Sequence, residues 1–140
     1  MKPAPLRQRV LFSFLLILLT STPSHATETD PYIEVHVGAL PIILEAPHGG
    51  SMMLPDIENH KLGGRDTGTL ELARLIREKM IAKTGKSPEM IAMLANRNFI
   101  DSNRKPGPEA YRDPVTQELY ERYYRHIDDA IARVRTRHGK

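Results

Sequence analysis

The chain reads as an α/β domain built from a layered mixed sheet with flanking helices. Three observations predict this. Short apolar or alternating runs occur at 32–37, 40–46 and 90–95, longer helical patterns occupy about 66–83 and the stretch after 113, and their order is β-β-α-β-α. In sheets of this class, sites form beyond the carboxyl ends of strands. Two polar loops fall there, one opening at His48 and the other at Asn96.

Each element has a local reason. Tyr32 to Val37 alternates apolar and polar residues, the period of a half-buried strand. Gly38-Ala39 reads as a turn. Leu40 to Ala46 is a continuous apolar run broken only by Glu45 and reads as a buried strand, so the pair is expected to form a hairpin. Pro47 offers no amide to a ladder and closes the second strand, leaving His48-Gly49-Gly50-Ser51 as loop. Met52 to Gly64 has no clear period. Asp66-Thr67 reads as a helix N-cap, with the helix running to about Lys83. Leu72, Leu75, Ile76 and Lys79 to Met80 follow its spacing, and Thr84 to Pro88 stops it. Met90 to Ala95 has the composition of a parallel central strand. Asn96 to Arg104 and the following Lys105-Pro106-Gly107-Pro108 are loop by composition. Asp113 and Pro114 suit the cap and first turn of a last helix. Its apolar stripe is Leu119, Tyr120, Tyr123, Ile127, Ala130, Ile131 and Val134, and Gly139 suits its C-cap.

Composition narrows the function classes. Lys2, Arg7 and Arg9, the apolar run Val10 to Thr20 and the small residues of Ser24-His25-Ala26 are expected to be a secretory signal peptide, residues 1–26. The run is too short for the roughly 20 residues of a spanning helix, so no stable membrane anchor is expected after cleavage. The expected location is secreted or periplasmic. That segment carries three of the 20 Lys and Arg and none of the 17 Asp and Glu, so residues 27–140 balance at 17 against 17. The basic pI of the chain therefore stems from the export signal, and no nucleic-acid partner is expected. The sequence has no cysteine, so any metal must be held by His, Asp or Glu.

Four groups of residues could carry chemistry. His48 follows an apolar strand and precedes two glycines, which leave room for a ligand or metal near the backbone. It reads as a Zn²⁺ ligand or as a plain loop histidine. Asp66, at the head of a helix, reads as a metal ligand, an N-cap, or both. Glu58 and His60 rank lower because no ordered element positions them. In Asn96 to Arg104, two arginines and several polar side chains surround Phe99-Ile100. An Asn-Arg pair suits a carboxylate, because guanidinium offers a two-toothed fork. A second arginine suits a polarised carbonyl, with Asp101 orienting one arginine from behind. The alternative is a solvated loop knitted by salt bridges. Tyr120, Tyr123, Tyr124 and His126 read mainly as packing residues with polar tips at the surface. Arg137-His138-Gly139 spells the core of a histidine phosphatase signature, but it follows a charged helical run and is treated as coincidence.

Taken in order, Pro47-His48-Gly49-Gly50, then Asp66 opening a helix, then Arg97-Asn98-Phe99-Ile100-Asp101-Ser102-Asn103-Arg104 resembles the N-formylglutamate amidohydrolase family. The resemblance covers roughly residues 35 to 138, and the last motif is its most specific part. That family is similar to the zinc carboxypeptidases and aspartoacylases. The resemblance implies a zinc-carboxypeptidase-like, phosphorylase/hydrolase-like α/β fold and a Zn²⁺ cofactor. It implies His48 and Asp66 as metal ligands, Asn103 and Arg104 as the grip on a substrate carboxylate, and catalytic Arg97 as the group that polarises the scissile carbonyl. The implied reaction is metal-assisted hydrolysis of an N-formyl or N-acyl amino acid, a small carboxylate-bearing amide.

The sequence also departs from that family. Carboxypeptidases take a Glu ligand three residues after the His, where this chain has Ser51. A third ligand in an Asp-x-His setting and a late Glu base are not found after Arg135. The expectation is therefore the N-terminal part of an amidohydrolase-like domain, with little or no activity alone. A non-catalytic periplasmic module that binds an acidic ligand, and a vestigial protein, are the alternatives.

Overall fold

The computed structural model describes residues 30–139. Residues 1–26, expected to be a signal peptide, lie outside them. The described part is mixed α/β, with a three-stranded mixed sheet and two helices. In chain order these are β1 (Ile33–His36), β2 (Ile43–Ala46), α1 (Thr69–Thr84), β3 (Glu89–Met93) and α2 (Pro114–His138).

β3 explains the architecture. Every residue from Glu89 to Met93 is buried, as expected of an apolar run covered on both faces. Odd-numbered Ile91 and Met93 pack with Leu119, Tyr120, Tyr123 and Ala130 of α2. Even-numbered Met90 and Ala92 pack with Leu70 and Ala73 of α1. The period of two therefore splits the core into two layers, one under each helix. Glu89, also on the α2 face, is fully buried and takes both arms of Arg133 at 3.0 and 2.9 Å.

The expected hairpin does not form. The sheet order is β1-β3-β2. β1 runs antiparallel to β3, with Ile33 opposite Met93, and β2 runs parallel to it, with Ala46 opposite Ala92. Residues 37–42 cross the start of β3 instead of turning tightly, and the Ala39 and Leu40 amides donate to the Ser87 carbonyl. A hairpin would leave the most apolar strand at an edge with unpaired backbone groups. Insertion pairs it on both sides. β2 is consequently an edge strand and not the buried one expected, and Glu45 is exposed, accepting from the Tyr123 hydroxyl at 3.1 Å.

The helices confirm one set of caps and correct another. Asp113 accepts from the Val115 amide at 2.8 Å in a reciprocal capping box with Thr116, and Pro114 opens α2. Gly139 closes it in the left-handed region, φ 67°, as Gly85 closes α1 at φ 68°. Asp66 is not the N-cap of α1. Gly68 holds that place with φ 88°, and Asp66 is left outside the helix. The apolar spacing of α1 also misleads, because Leu72, Leu75 and Ile76 are exposed and Leu70 and Ala73 are the residues it buries. Among the described residues, no helix is long and apolar enough to cross a membrane.

Candidate functional site

The two loops predicted to matter meet at one end of the sheet. β2 and β3 are parallel, so their carboxyl ends lie side by side and Pro47 to Met52 runs beside Leu94 to Arg104. Backbone bonds stitch them together, with the Met52 amide donating to Leu94 at 2.9 Å and the Asn96 amide donating to Met52 at 2.8 Å. Ser102 Oγ donates to the Pro47 carbonyl at 3.1 Å. Gly49 and Gly50 do not open space for a ligand. A Cβ on Gly49 would sit 2.4 Å from the Leu70 amide nitrogen, and one on Gly50 would sit 2.2 Å from the Leu94 carbonyl carbon. They are glycines because other backbone fills that volume.

Asp101 is the hub. Its side chain is fully buried and collects donors on both oxygens. Oδ1 faces His48 Nε2 at 2.7 Å and the Asn103 amide at 3.1 Å, and Oδ2 accepts from Arg97 Nε at 2.9 Å. A second Arg97 nitrogen lies 2.9 Å from Oδ2 and Arg104 Nε lies 3.5 Å from it. Burial pushes the Asp101 carboxyl up, but the hydrogen bonds from Arg97, His48 and the Asn103 amide outweigh it and hold the acid below its ordinary value.

His48 is buried between two carboxylates. Nε2 meets Asp101 and Nδ1 meets Asp66 Oδ2 at 3.0 Å. A neutral imidazole carries one N–H and can donate to only one of them. With that proton on Nε2, bonded to the buried acceptor, Nδ1 turns a lone pair towards Asp66 Oδ2 and the two can hold a cation between them; with it on Nδ1, the 3.0 Å contact is an ordinary hydrogen bond to Asp66. The separation is close to the edge of about 3.3 Å that two zinc bonds of about 2.0 Å subtend in a tetrahedron. A histidine whose far nitrogen is held by a carboxylate is also the usual support for a zinc ligand. His48 and Asp66 therefore fit as two ligands. Among the described residues no group of three or more His, Cys, Asp or Glu converges on one point. Glu58 and His60 make no hydrogen bond to this group, and Ser51 is exposed.

The arginines differ. Arg97 is largely buried and spans Asp101 and Asp66, the latter at 3.3 Å. A Cβ on Gly63 would lie 2.5 Å from its Nε, so the 62–66 segment presses on the guanidinium. Arg104 is 55% exposed and reaches the hub from its solvent side, with Nε 3.5 Å from Asp101, and Asn103 is exposed beside it. The structure thus brings His48, Asp66, Arg97, Asp101 and Arg104 together. It places the Asn103 side chain at the rim, while its amide serves Asp101. His126 is half-buried on α2 and joins none of these bonds.

Sequence reasoning assigned Asp101 to an arginine and missed its bond to His48. Its reading of the tyrosines as packing residues holds for Tyr120 and Tyr123, which lie in the core, but not its placing of their polar tips at the surface. Tyr120 and Tyr124 turn their hydroxyls inward, donating to the Arg104 carbonyl at 2.7 Å and the Ser102 carbonyl at 2.8 Å. α2 thereby clamps the loop that carries Asp101 and Arg104. The signal was available in the i, i+4 spacing of the two rings, which puts both on one face. The chain matches no protein-family model, no curated protein and no solved structure.

Proposed function

We propose that this chain carries the ligand and substrate-gripping part of a zinc-dependent hydrolase acting on the amide bond of an N-formyl or N-acyl amino acid or a similar carboxylate-bearing substrate. The fold proposed with it is the zinc-carboxypeptidase-like α/β type, of which the small mixed sheet would be a part. The observation that carries the reading is His48, buried with a carboxylate on each ring nitrogen. Asp101 fixes its orientation, and Nδ1 and Asp66 Oδ2 offer a mixed N/O donor pair at 3.0 Å.

Each residue then has a role. His48 and Asp66 would hold the ion. When bound, zinc supplies Lewis acidity and lowers the pKa of a water towards about 7. Arg104, exposed and singly engaged, holds the substrate carboxylate with Asn103 beside it. Arg97, anchored by Asp101, presents a fixed positive charge where the carbonyl oxygen becomes negative. The test is zinc titration calorimetry on the full chain, with His48→Ala and Asp66→Asn. Binding that weakens at least tenfold in both variants supports the reading, and binding indifferent to both refutes it. Zinc-dependent turnover of N-formylglutamate and N-acyl amino acids is the companion assay.

One observation favours a second reading, a non-catalytic module for acidic ligands. Arg97 is already occupied by two carboxylates, and the described residues hold no third metal ligand beside His48 and Asp66. This reading predicts carboxylate binding that depends on Arg104 and survives EDTA.

A further inference from the structure

Arg104 also lines an open groove of about 620 Å³. Arg104 and Lys105 line it from the loop, and Tyr120, Tyr124 and Arg125 line it from α2. Arg104 belongs to both the groove and the hub, so the groove continues the candidate site. Its size falls in the range of pockets that enclose drug-sized ligands, about 300–1,000 Å³, and is generous for a small acidic side chain. Tyr124, half-buried, turns its ring to the groove and is backed at 4.7 Å and 39° by the ring of Tyr120, which is 5% exposed and belongs to the core. Both hydroxyls are committed, to the Arg104 and Ser102 carbonyls, so Tyr124 offers its ring and not its hydroxyl to a ligand.

The charges decide what the groove would take. Lys105 and Arg125 are matched in number by Glu121 and Asp128, which also line it. Arg104 is the excess cation, and the carboxylate within ion-pair distance of it, Asp101 at 3.5 Å, is already engaged by Arg97. The groove therefore has a place for one carboxylate, at Arg104, and an aromatic surface for what is attached to it.

We propose that the groove is a side-chain subsite, and that the preferred ligand is an N-acyl amino acid with a bulky aromatic side chain, bound by one carboxylate. This rests on the reading of Arg104 as the carboxylate grip. A second carboxylate, as in an acidic amino acid, would meet a lining in which Lys105 and Arg125 are offset by Glu121 and Asp128, and would gain little.

The test is calorimetry on the full chain with N-acetylphenylalanine, N-acetylalanine and N-acetylglutamate as probes. The phenylalanine compound should bind about tenfold or more tightly than the alanine compound, from burial of its ring. Arg104→Ala should weaken all three. Tyr124→Leu should bring phenylalanine down to alanine, whereas Tyr124→Phe, which keeps the ring, should preserve the preference. Arg104-dependent binding with no gain for phenylalanine, or with glutamate bound tightest, overturns the subsite and leaves the carboxylate grip standing. Binding that is absent, or unaffected by Arg104→Ala, overturns both.

Discussion

Asp101→Asn keeps the outline of the hub side chain and removes its charge. The wild-type carboxylate accepts from His48 at 2.7 Å, from the Asn103 amide at 3.1 Å and from Arg97 at 2.9 Å, in full burial. An asparagine accepts through one oxygen and turns an amide donor towards groups that are themselves donors. Breaking a buried ion pair by removing one partner costs about 3–5 kcal/mol. Arg97 retains Asp66 at 3.3 Å and is 18% exposed, which places the expected loss at the lower end, about 3 kcal/mol. Against a total stability of about 5–15 kcal/mol this is severe, and it corresponds to a fall in Tm of about 12 °C or more. Urea unfolding of the full chain, followed by circular dichroism with wild type alongside, measures it. A loss below about 1 kcal/mol at unchanged m-value would refute the hub, since a surface carboxylate costs no more than that.

Four further outcomes follow from the same structure. Asp101 is held below its ordinary value, so its contribution is present above the unfolded pKa of about 3.9 and is lost as pH falls through the lowered folded value. The stability gap between wild type and Asp101→Asn should therefore narrow only below about pH 4, and a gap that closes between pH 5 and 7 would contradict the assignment. Gly50→Ala should destabilise by about 1–3 kcal/mol or prevent folding, because its Cβ would lie 2.2 Å from backbone, whereas Gly64→Ala, with nothing within 4 Å, should stay within about 0.5 kcal/mol; equal melting temperatures for the two would contradict the packing. Asp113→Ala removes the capping box of α2 and should cost about 1 kcal/mol by urea titration, with Asp113→Asn largely spared. Glu89→Gln leaves Arg133 without its buried partner and should cost about 3 kcal/mol, while the double change Glu89→Gln with Arg133→Met should recover part of it.

The signals that survived folding are local ones. Asp113-Pro114, Gly85 and Gly139 act through their own φ, ψ and nearest amides, so their roles in the sequence and in the fold coincide. The same holds for Met90 to Met93, whose unbroken apolar run means burial on both faces wherever the strand is placed. That His48, Arg97 and Arg104 would lie near one another was legible from their places after strands, because strand-end loops of parallel neighbours must meet, whereas Asp66 reaches them from the segment before α1. Partner choice was not legible. β1 and β2 are close in sequence and compatible with a hairpin, yet β3 intervenes, because two-sided pairing of the most apolar strand outweighs a short turn. Leu72, Leu75 and Ile76 keep helical spacing but lie off the face that the sheet covers, and spacing alone does not say which face that is. The contact between His48 and Asp101, 53 residues apart, depends on both loops arriving with side chains inward. Residue types and caps belong to the chain's local chemistry. Pairing order, helix orientation and the carboxylates on either side of His48 come from long-range packing, where burial of surface and satisfaction of buried polar groups are settled together.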